Sequence, residues 1–376
     1  MLVRSYLDTA AQLVKAYTGT PPLAAYLSAF FKPHKQYGSR DRKSIADLVY
    51  GYFRLGPQPH LSTHEVLIMG AALRSRLPER FFAEAAPEYV AVLPWLLQEK
   101  IAWCVEHKKA TFDITSPLSI GLSEADFFEQ LYSQPRVFIR IRRQAHEVLK
   151  QLKQADIAFA KHGDDCVSVP ANTPLDKLLF ERDYTIQDWA SQATGKYWDV
   201  KANSHWWDCC AASGGKSLRL LDKGIPIQLE VSDVRETILL NLKQRLTQYG
   251  YGGRFRTHVL DVLNAAPLPG PFDAIIADVP CSGSGTWARS PEGFYFTNPT
   301  MLESFHQKQV GIAVNAAQSL KPGGTMYYIT CSVFAIENEE AVMSIIEKTG
   351  MTLKEQHVLR APELGSDALY TAILEK

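Results

Sequence analysis

Two hydrophobic periods alternate with polar stretches along this chain. Up to residue 107, apolar residues recur every three or four positions, which predicts an all-α region. Residues 108–123 are polar and rich in turn formers and predict a linker, while residues 124–185 mix both patterns and indicate a small connecting α+β region. From residue 186 to residue 376, apolar runs alternate with amphipathic segments, which predicts a parallel sheet with helices on both faces.

The helical region contains predicted helices over residues 2–17, 38–54, 63–76 and 88–106. In the second of these, Ser39 could cap the helix, and an apolar stripe is formed by Ile45, Leu48, Val49, Tyr52 and Phe53. The basic residues off that stripe are Arg40, Arg42, Lys43 and Arg54. Such charges usually form a solvated helix face, and an RNA-contacting surface is the alternative interpretation.

The connecting region carries a dense group of basic residues. Residues 136–153 read RVFIRIRRQAHEVLKQLK and predict a strand that leads into a helix. Arginines on a strand suit contact with phosphate better than a fully solvated face would. Charge alone decides neither interpretation for this stretch.

The C-terminal region begins with a helix over residues 187–197. Further helices are predicted over residues 217–223, 234–249, 300–320 and 337–349. The strands between and after them are predicted over residues 205–210, 227–233, 255–261, 272–278, 324–331 and 368–374.

Composition narrows the class of protein. Hydrophobic residues make up 46% of the 376 residues and charged residues 21%, and the formal net charge is zero, which suits a soluble globular monomer rather than a coat on nucleic acid. No apolar run reaches the length of a membrane span, and no signal-peptide core is visible. The six cysteines form no CxxC pair, so we expect reduced thiols in the cytoplasm and no metal site.

Small and acidic residues mark the ends of the predicted strands. The first strand runs into DCCAASGGK, a turn of small residues that lets the backbone approach a ligand closely. The next strands end in Asp233, Asp261 and Asp278. Acids at these positions suit the ribose hydroxyls and the adenine amine of a nucleoside. Because both phosphate-binding fingerprints are absent from the sequence, S-adenosylmethionine is favoured over NAD or ATP.

Two cysteines also lie at strand ends, Cys281 in DVPCSGSG and Cys331 in ITCS. Lys216 or a helix N-terminus could lower the pKa of one thiol. Beside a methyl donor, a thiolate can add to C6 of cytosine and make C5 nucleophilic, while Asp278 could hydrogen-bond or protonate N3. A second thiol would assist the final elimination. The residues alone do not decide which cysteine attacks.

Four motifs give the chain a resemblance to a known family. They read DCCAASGGK, SDVRETILLNLKQRL, DVPCSGSGTWARSPE and YYITCSVFAIENEEAV. In order and spacing they resemble the Sun (Fmu, RsmB-like) family of RNA cytosine-C5 methyltransferases. GSRDRKSIADLVYGYFR resembles the NusB-like helical domain that precedes the catalytic part of the bacterial members. The resemblance implies a NusB-like domain over residues 1–107, an RNA-contacting region over 124–185, and a Rossmann-like methyltransferase domain over 186–376.

The resemblance also implies roles. The family's nucleophile corresponds to Cys331, and Cys281 promotes release of the product. Lys216 lies near the reacting groups, together with Asp278. The residues implied for S-adenosylmethionine are Cys210, Ala211, Ala212, Ser213, Gly214, Gly215, Lys216, Asp233, Asp261 and Asp278. Ser213 stands where the family usually has proline, and Arg142 stands where it usually has asparagine.

The implied substrate is ribosomal RNA, either free or within an assembling subunit, with the target cytosine in a single-stranded or splayed-out region. Two alternatives stay open. The same chemistry could act on tRNA. The chain could also be a non-catalytic RNA-binding assembly factor, although the retained cysteines, Asp278 and the glycine turn argue against that.

Overall fold

The computed structural model describes residues 3–376 and divides them into a helical unit and an α/β unit. The helical unit consists of the described residues up to Thr115 together with Ser123–Tyr132 and Thr286–Asn298. Its helices are Val3–Ala16, Leu23–Phe31, Ser39–Leu55, Thr63–Arg74, Glu79–Ala85, Leu97–Lys108, Glu124–Tyr132 and Glu292–Phe296, with a 3₁₀ helix at Pro87–Val92. Leu2, where the first helix was predicted to begin, lies outside the described residues.

The helix Ser39–Leu55 differs from its prediction in its N-terminal cap and in the burial of Arg54. Ser39 is its first helical residue rather than its cap, and Asp41 instead accepts a 2.9 Å hydrogen bond from the N–H of Gly38. Arg54, predicted to lie on a solvated or RNA-contacting face, is 2% exposed. Its guanidinium donates to the carbonyl oxygens of Leu131 and Ala288 at 2.7 and 2.5 Å. Arg54 is therefore a core residue, and its burial lowers its pKa to about 9.

The prediction of one helix over residues 88–106 is wrong, because this stretch forms two separate helices. A 3₁₀ helix ends at Val92, and a new α-helix begins at Leu97. Pro94 lies between them, and proline cannot donate the backbone hydrogen bond that a continuous helix would require.

A segment distant in sequence completes the core of the helical unit. The ring of Phe296, in the segment Thr286–Asn298, packs 5.9 Å from the rings of Tyr17 and Phe53. Glu292, in the same segment, accepts a 3.0 Å hydrogen bond from the N–H of Leu23. The chain after Cys281 thus leaves the α/β unit, enters the helical core, and returns.

The α/β unit begins with a four-stranded antiparallel sheet. Its strands are Val137–Ile141, Ala160–Lys161, Cys166–Val169 and Tyr184–Ile186, in the spatial order second, third, first, fourth. The helices Ala145–Gln154 and Leu175–Leu178 belong to the same stretch of chain, with a 3₁₀ helix at Glu181–Asp183.

Arg140 of the first strand and Arg142, which follows the strand, face the protein interior. Arg140 and Arg142 both bind Asp222, with Nη1 of Arg140 2.6 Å and Nη2 of Arg142 2.8 Å from its carboxylate oxygens. Both arginine side chains are 1% exposed. Burial alone would raise the pKa of Asp222, but hydrogen bonds from Arg142 and the charge of Arg140 hold it below its ordinary value. These two arginines are therefore unavailable to phosphate in this arrangement.

The central sheet has seven strands, numbered here in chain order. They are β1 (His205–Asp208), β2 (Gln228–Asp233), β3 (Arg256–Val259), β4 (Phe272–Asp278), β5 (Leu320–Thr330), β6 (Thr352–Leu359) and β7 (Leu369–Glu375). The spatial order is β6-β7-β5-β4-β1-β2-β3. Strands β1 to β5 pair in parallel, as the alternating pattern predicts.

The last strands correct the prediction of a wholly parallel sheet. Strand β7 pairs antiparallel with both β5 and β6, and β6 was not predicted at all. The residues of β6 are mostly half-exposed or exposed, since this strand lies at the edge of the sheet and has a polar sequence. A hairpin return needs no crossover helix, so β7 can lie beside β5 in the opposite direction.

Helices cover the central sheet. They are Trp189–Thr194, Gly215–Leu221, Glu236–Leu246, Pro299–Ala317 and Glu339–Thr349, with shorter helical turns at Gly195–Tyr197, Thr247–Tyr251, Ser284–Thr286, Ala335–Glu337 and Pro362–Leu364. The predicted mixed α/β architecture with a helical N-terminal region is confirmed. Within residues 3–376, none of the helices has the length and apolarity that crossing a membrane requires.

Candidate active site

The ends of β4 and β5 bring the two predicted cysteine motifs together. The strands pair in parallel up to Asp278 and Ile329, and the N–H of Val279 continues the pairing by donating to the carbonyl of Ile329 at 3.1 Å. A turn carrying Cys281 follows β4, and a turn carrying Cys331 follows β5. Because both strands end at one edge of the sheet, residues 50 positions apart in sequence become neighbours.

Gly285 locks the two turns against each other. Its N–H donates to the carbonyl of Cys331 and its carbonyl accepts from the N–H of Ala368, both at 2.9 Å. A Cβ at this position would lie 2.0 Å from the carbonyl oxygen of Ala368. Only glycine therefore permits this close approach of backbones.

The thiols of Cys281 and Cys331 are in direct contact, with their Sγ atoms 3.2 Å apart. No cysteine within residues 3–376 is in a disulfide. The hydrogen bond from Cys281 lowers the pKa of the Cys331 thiol, and the charge of Lys216 acts in the same direction. The same hydrogen bond, together with burial, raises the pKa of Cys281 well above its ordinary value. This asymmetry favours a thiolate on Cys331 and a thiol on Cys281.

A lysine–aspartate pair borders the thiols. Nζ of Lys216 donates to Oδ2 of Asp278 at 2.6 Å. Lys216 is 7% exposed, whereas the side chain of Asp278 is 33% exposed. The pair therefore keeps one carboxylate oxygen available on the open side.

Asp208 is an additional acid that the sequence reading passed over. It ends β1, is fully buried, and accepts a 2.5 Å hydrogen bond from Ser217. Its other oxygen, Oδ1, has no hydrogen-bond donor among residues 3–376. Burial raises its pKa to about 7, and the negative charge of Asp278 adds to the effect.

The glycine turn between β1 and the following helix is held in place from several sides. Ala212 has a left-handed φ of 45°, and its N–H donates to Asp233 at 3.0 Å. Gly214 also has a positive φ, of 79°, and a Cβ there would lie 2.9 Å from Leu242. Nη1 of Arg245 donates to the carbonyl of Ser213 at 3.0 Å. This bond restrains the turn where the family usually has proline.

The acids after β2 and β3 have different local partners. Asp233 accepts hydrogen bonds from the backbone and guanidinium of Arg235, which outweigh burial and lower its pKa. Asp261 accepts from the N–H of Leu263 at 3.1 Å and from the side chain of Asn264 at 2.9 Å. Arg235 covers Asp233 and was not singled out from the sequence.

One cavity of about 450 Å³ joins most of these groups. The predicted residues in its wall are Cys210, Ala212, Asp233, Asp261, Asp278, Cys281 and Cys331. The predicted residues outside the wall are Ala211, Ser213, Gly214, Gly215 and Lys216. The last group shapes the turn, except for Lys216, which reaches the cavity through Asp278.

Apart from Arg235, apolar residues supply the rest of the wall, and sequence reasoning did not single them out. They are Val234, Leu260, Val262, Val279 and Ile312, with Cys209 and Pro280. Most of them adjoin a predicted acid or cysteine, so position beside a strand-end acid is the signal that could have found them. Ile312 lies within the helix Pro299–Ala317 and gave no such signal. Among residues 3–376, no cluster of histidine, cysteine or acids suits a metal ion.

The sequence of the C-terminal part of the chain matches the model of a known family. Residues 197–367, which include the whole cavity wall, match the family model described as 16S rRNA methyltransferase RsmB/F. A ribosomal RNA small subunit methyltransferase B of Klebsiella pneumoniae is 28% identical over 266 residues, covering 65% of this chain and 60% of that protein. The protein of the same name from Xanthomonas campestris is 25% identical, covering 60% and 54%. The chain thus spans little more than half of these relatives.

Solved structures share the fold. PH0851 superposes with a TM-score of 0.67 at 18% identity, over 100% of this chain and 98% of that one. NSun6 from Pyrococcus horikoshii with SFG gives a TM-score of 0.59 at 14% identity, over 68% and 95%. Over residues 197–367, the chain is therefore similar to the family described as 16S rRNA methyltransferase RsmB/F.

Proposed function

We propose that this protein transfers a methyl group from S-adenosylmethionine to C5 of a cytosine in RNA, through a covalent cysteine adduct at C6. The observation that carries the proposal is the 3.2 Å contact between Cys281 and Cys331 in the wall of a cavity that also contains Asp278. A methyl transfer to an amine or hydroxyl would need neither thiol. Addition to C6 of a pyrimidine needs one as nucleophile, and its elimination is assisted by another proton-transfer group.

The cavity fits S-adenosylmethionine. Its volume of about 450 Å³ lies in the range of small-molecule sites. Asp233, after β2, can accept ribose hydroxyls once Arg235 turns outward, since the arginine side chain is 57% exposed. Asp261 can accept from an exocyclic amine, and the apolar side chains of Leu260 and Ile312 can flank a flat ring. When bound, S-adenosylmethionine supplies an electrophilic methyl group.

We assign the attack to Cys331. Its thiolate adds to C6 of the cytosine, and the electron pair displaced from the C5–C6 bond moves toward C5 and N3. Asp278 then binds the N3 edge, where the Lys216–Asp278 pair can deliver a proton and keep charge from building on the ring. Both thiols and the acid line the cavity, so the base must enter it edge-first, unstacked from its neighbours.

We assign the release step to Cys281. After C5 is methylated, a base removes the C5 proton and the C6–S bond breaks, returning a thiolate to Cys331. A hydrogen bond from Cys281 stabilises that thiolate as it forms. Sulfur atoms in contact would thus perform different tasks because one holds a proton and the other does not.

We propose ribosomal RNA of the small subunit as the substrate, supported by the description of the matched family. We also propose that exposed basic residues contact the part of the RNA that stays outside the cavity. These residues are Arg40 and Lys43 of the helical unit and Arg143 of the α/β unit. The NusB-like character of the helical unit and action within an assembling subunit belong to the same proposal.

The test uses the purified full chain, radiolabelled S-adenosylmethionine and unmodified small-subunit rRNA, with tRNA as the competing substrate. Wild-type protein should label cytosine C5 in the rRNA. Cys331→Ala should lose both turnover and the covalent RNA adduct, while Cys281→Ala should accumulate an adduct that survives a denaturing gel. Cys104→Ala, a buried cysteine of the helical unit, is the matched control and should keep activity.

Three outcomes would contradict parts of the proposal. An adduct formed by Cys331→Ala would reverse the assignment of the thiols. Labelling of tRNA in preference to rRNA would replace the substrate. Binding of RNA with no binding of S-adenosylmethionine would favour a non-catalytic assembly factor.

A further inference from the structure

Glu337 is a carboxylate buried beneath the candidate active site. It ends the 3₁₀ helix Ala335–Glu337, just after the turn that carries Cys331, and its exposure is 0%. Removing an acid from water is costly unless the protein supplies hydrogen bonds in return. The partners of Glu337 therefore indicate why an acid occupies this position.

Each carboxylate oxygen of Glu337 accepts two hydrogen bonds. Oε1 accepts from the N–H of Ser282 at 2.7 Å and from Nε2 of Gln309 at 3.0 Å. Oε2 accepts from the hydroxyls of Ser282 and Ser332, both at 2.5 Å. Ser282 follows Cys281 directly and Ser332 follows Cys331 directly. A single side chain thus joins the residues next to both candidate catalytic thiols.

The donors at Oε1 fix this oxygen as an acceptor. A backbone N–H can only donate, and so can the amide nitrogen of Gln309, whose orientation is supported by its second bond to the carbonyl of Pro280 at 3.0 Å. At Oε2 both partners are serine hydroxyls, which donate here and could also accept. An amide in place of the acid would therefore have to reverse both hydroxyls to keep the set of bonds.

We infer that Glu337 is the positioning residue that fastens the Cys281 turn to the Cys331 turn and thereby keeps the two thiols in contact during catalysis. The inference rests on the proposed function for its catalytic meaning. Without Glu337, the turns would still be joined by the backbone bond from Gly285 to Cys331 and by the hydroxyl of Ser284, but nothing would hold Ser282, next to Cys281, to Ser332. A displacement of about 1 Å between reacting groups is enough to slow an enzyme about a hundredfold.

The contact that Glu337 maintains has a measurable consequence. The hydrogen bond between the two thiols lowers the pKa of Cys331 and raises the pKa of Cys281. The negative charge of Glu337 raises the pKa of both thiols, so the contact and not this charge distinguishes them. Releasing the two turns should separate the thiols and let Cys281 compete with Cys331 for an electrophile.

The experiment compares wild type with Glu337→Gln and Glu337→Asp. Limiting iodoacetamide is added to the full chain, and peptide mass spectrometry gives the ratio of alkylation at Cys331 to that at Cys281. Glu337→Gln should lower this ratio toward one, because thiols that are no longer in contact lose the difference in pKa between them, and it should lower kcat for RNA methylation about tenfold to a hundredfold with KM little changed. Glu337→Asp keeps the charge but shortens the reach, so it should lower both kcat and the alkylation ratio.

Glu292→Gln is the matched control, because it neutralises a buried glutamate of the helical unit that also accepts a backbone N–H. It should leave the alkylation ratio unchanged. Thermal melts of each variant show whether a lower kcat comes from unfolding or from displacement of the two thiols. If Glu337→Gln does not fold, the kcat of Glu337→Asp tests the inference. The inference is overturned if folded Glu337→Gln or Glu337→Asp retains kcat within twofold of wild type.

The alkylation ratio needs no RNA, so it separates this inference from the proposed function. If wild type methylates no RNA while Glu337→Gln still lowers the ratio, the proposed reaction fails and the positioning role stands. If wild type methylates RNA and the ratio and kcat of Glu337→Gln equal those of wild type, the positioning role fails alone.

Discussion

Two ion-pair clusters in the α/β unit hold their carboxylates in opposite ways. Asp222 binds Arg140 and Arg142 and also accepts from the hydroxyl of Tyr251 at 2.7 Å, and its side chain is only 11% exposed. Among the described residues, Asp278 has Lys216 as its only side-chain partner, and 33% of its side chain is exposed in the cavity wall. The first cluster has its acceptors filled from within the protein, and the second retains capacity for a ligand.

The difference between Asp222 and Asp278 shows how charged residues that stabilise the fold can be distinguished from charged residues that can bind a ligand. The arginine-rich stretch 136–143 suited a phosphate contact in the sequence, yet Arg140 and Arg142 bind the internal acid Asp222. Asp278 was predicted to serve both S-adenosylmethionine and N3 of cytosine, and it lines one cavity with both thiols. What distinguishes the two is whether the partner set is complete. We therefore expect mutations to affect stability in one cluster and turnover in the other.

The largest effect is expected from Asp222→Ala. This change leaves two buried guanidinium groups without their counter-charge, which typically costs about 3–5 kcal/mol of stability. Chemical denaturation should show the loss in the free energy of unfolding. At a temperature where the variant is folded, its turnover per folded molecule should stay close to wild type. A variant as stable as wild type would mean that the cluster is not structural.

Asp278→Asn should give the converse result. Losing the acid that serves the N3 edge should lower kcat about a hundredfold to a thousandfold. The denaturation midpoint should fall less than in Asp222→Ala, because Asp278 is partly exposed and only one buried cation, Lys216, loses its partner. Steady-state methylation assays and a thermal melt on the same preparation test both halves. Unfolding of Asp278→Asn would remove the contrast between the clusters.

Asp208→Asn sharpens the comparison through pH. Because burial raises the pKa of Asp208 from 3.8 to about 7, the folded state binds its proton more tightly than the unfolded chain does. Wild type should therefore lose stability from this group as pH rises from about 4 to about 7, and then no further. The variant has no such loss, so its stability relative to wild type should rise across that window, by up to a few kcal/mol at about 1.4 kcal/mol per pKa unit.

The measurement is the difference in unfolding free energy between Asp208→Asn and wild type at a series of pH values, so that all other titrating groups cancel. A difference that stays constant between pH 4 and pH 7 would show that Asp208 ionises normally in the folded protein.

The smallest effect is expected from Arg142→Asn, which restores the residue usual in the resembled family. It removes the paired hydrogen bonds to Asp222 and the stacking of the guanidinium 4.2 Å from the ring centre of Tyr249, but Arg140 remains. We expect a loss of about 1–3 kcal/mol of stability and unchanged methylation. Loss of RNA affinity at unchanged stability would instead support a phosphate contact.

Much of the fold could be predicted from the sequence because the spacing of apolar residues within each segment indicates its secondary structure. The apolar stripe of the helix Ser39–Leu55 and the buried run of β4 each follow from residue spacing. The acids Asp233, Asp261 and Asp278 were predicted to meet because parallel strands end at one edge, and they line one cavity. Strand β6 escaped prediction because a polar edge strand carries no hydrophobic period.

The sequence by itself determined the order of strands and helices, the chemistry available at each strand end, and the motifs that carry the family resemblance. Only the tertiary structure decided the individual contacts. It set the two sulfur atoms of Cys281 and Cys331 3.2 Å apart, joined Arg140 and Arg142 to Asp222, and placed Glu337 under both cysteine turns. The physical reason is the separation in sequence over which each kind of information acts. Hydrophobic periodicity reflects the conformation of a few consecutive residues, whereas these contacts depend on strand register and on side-chain packing between residues tens of positions apart.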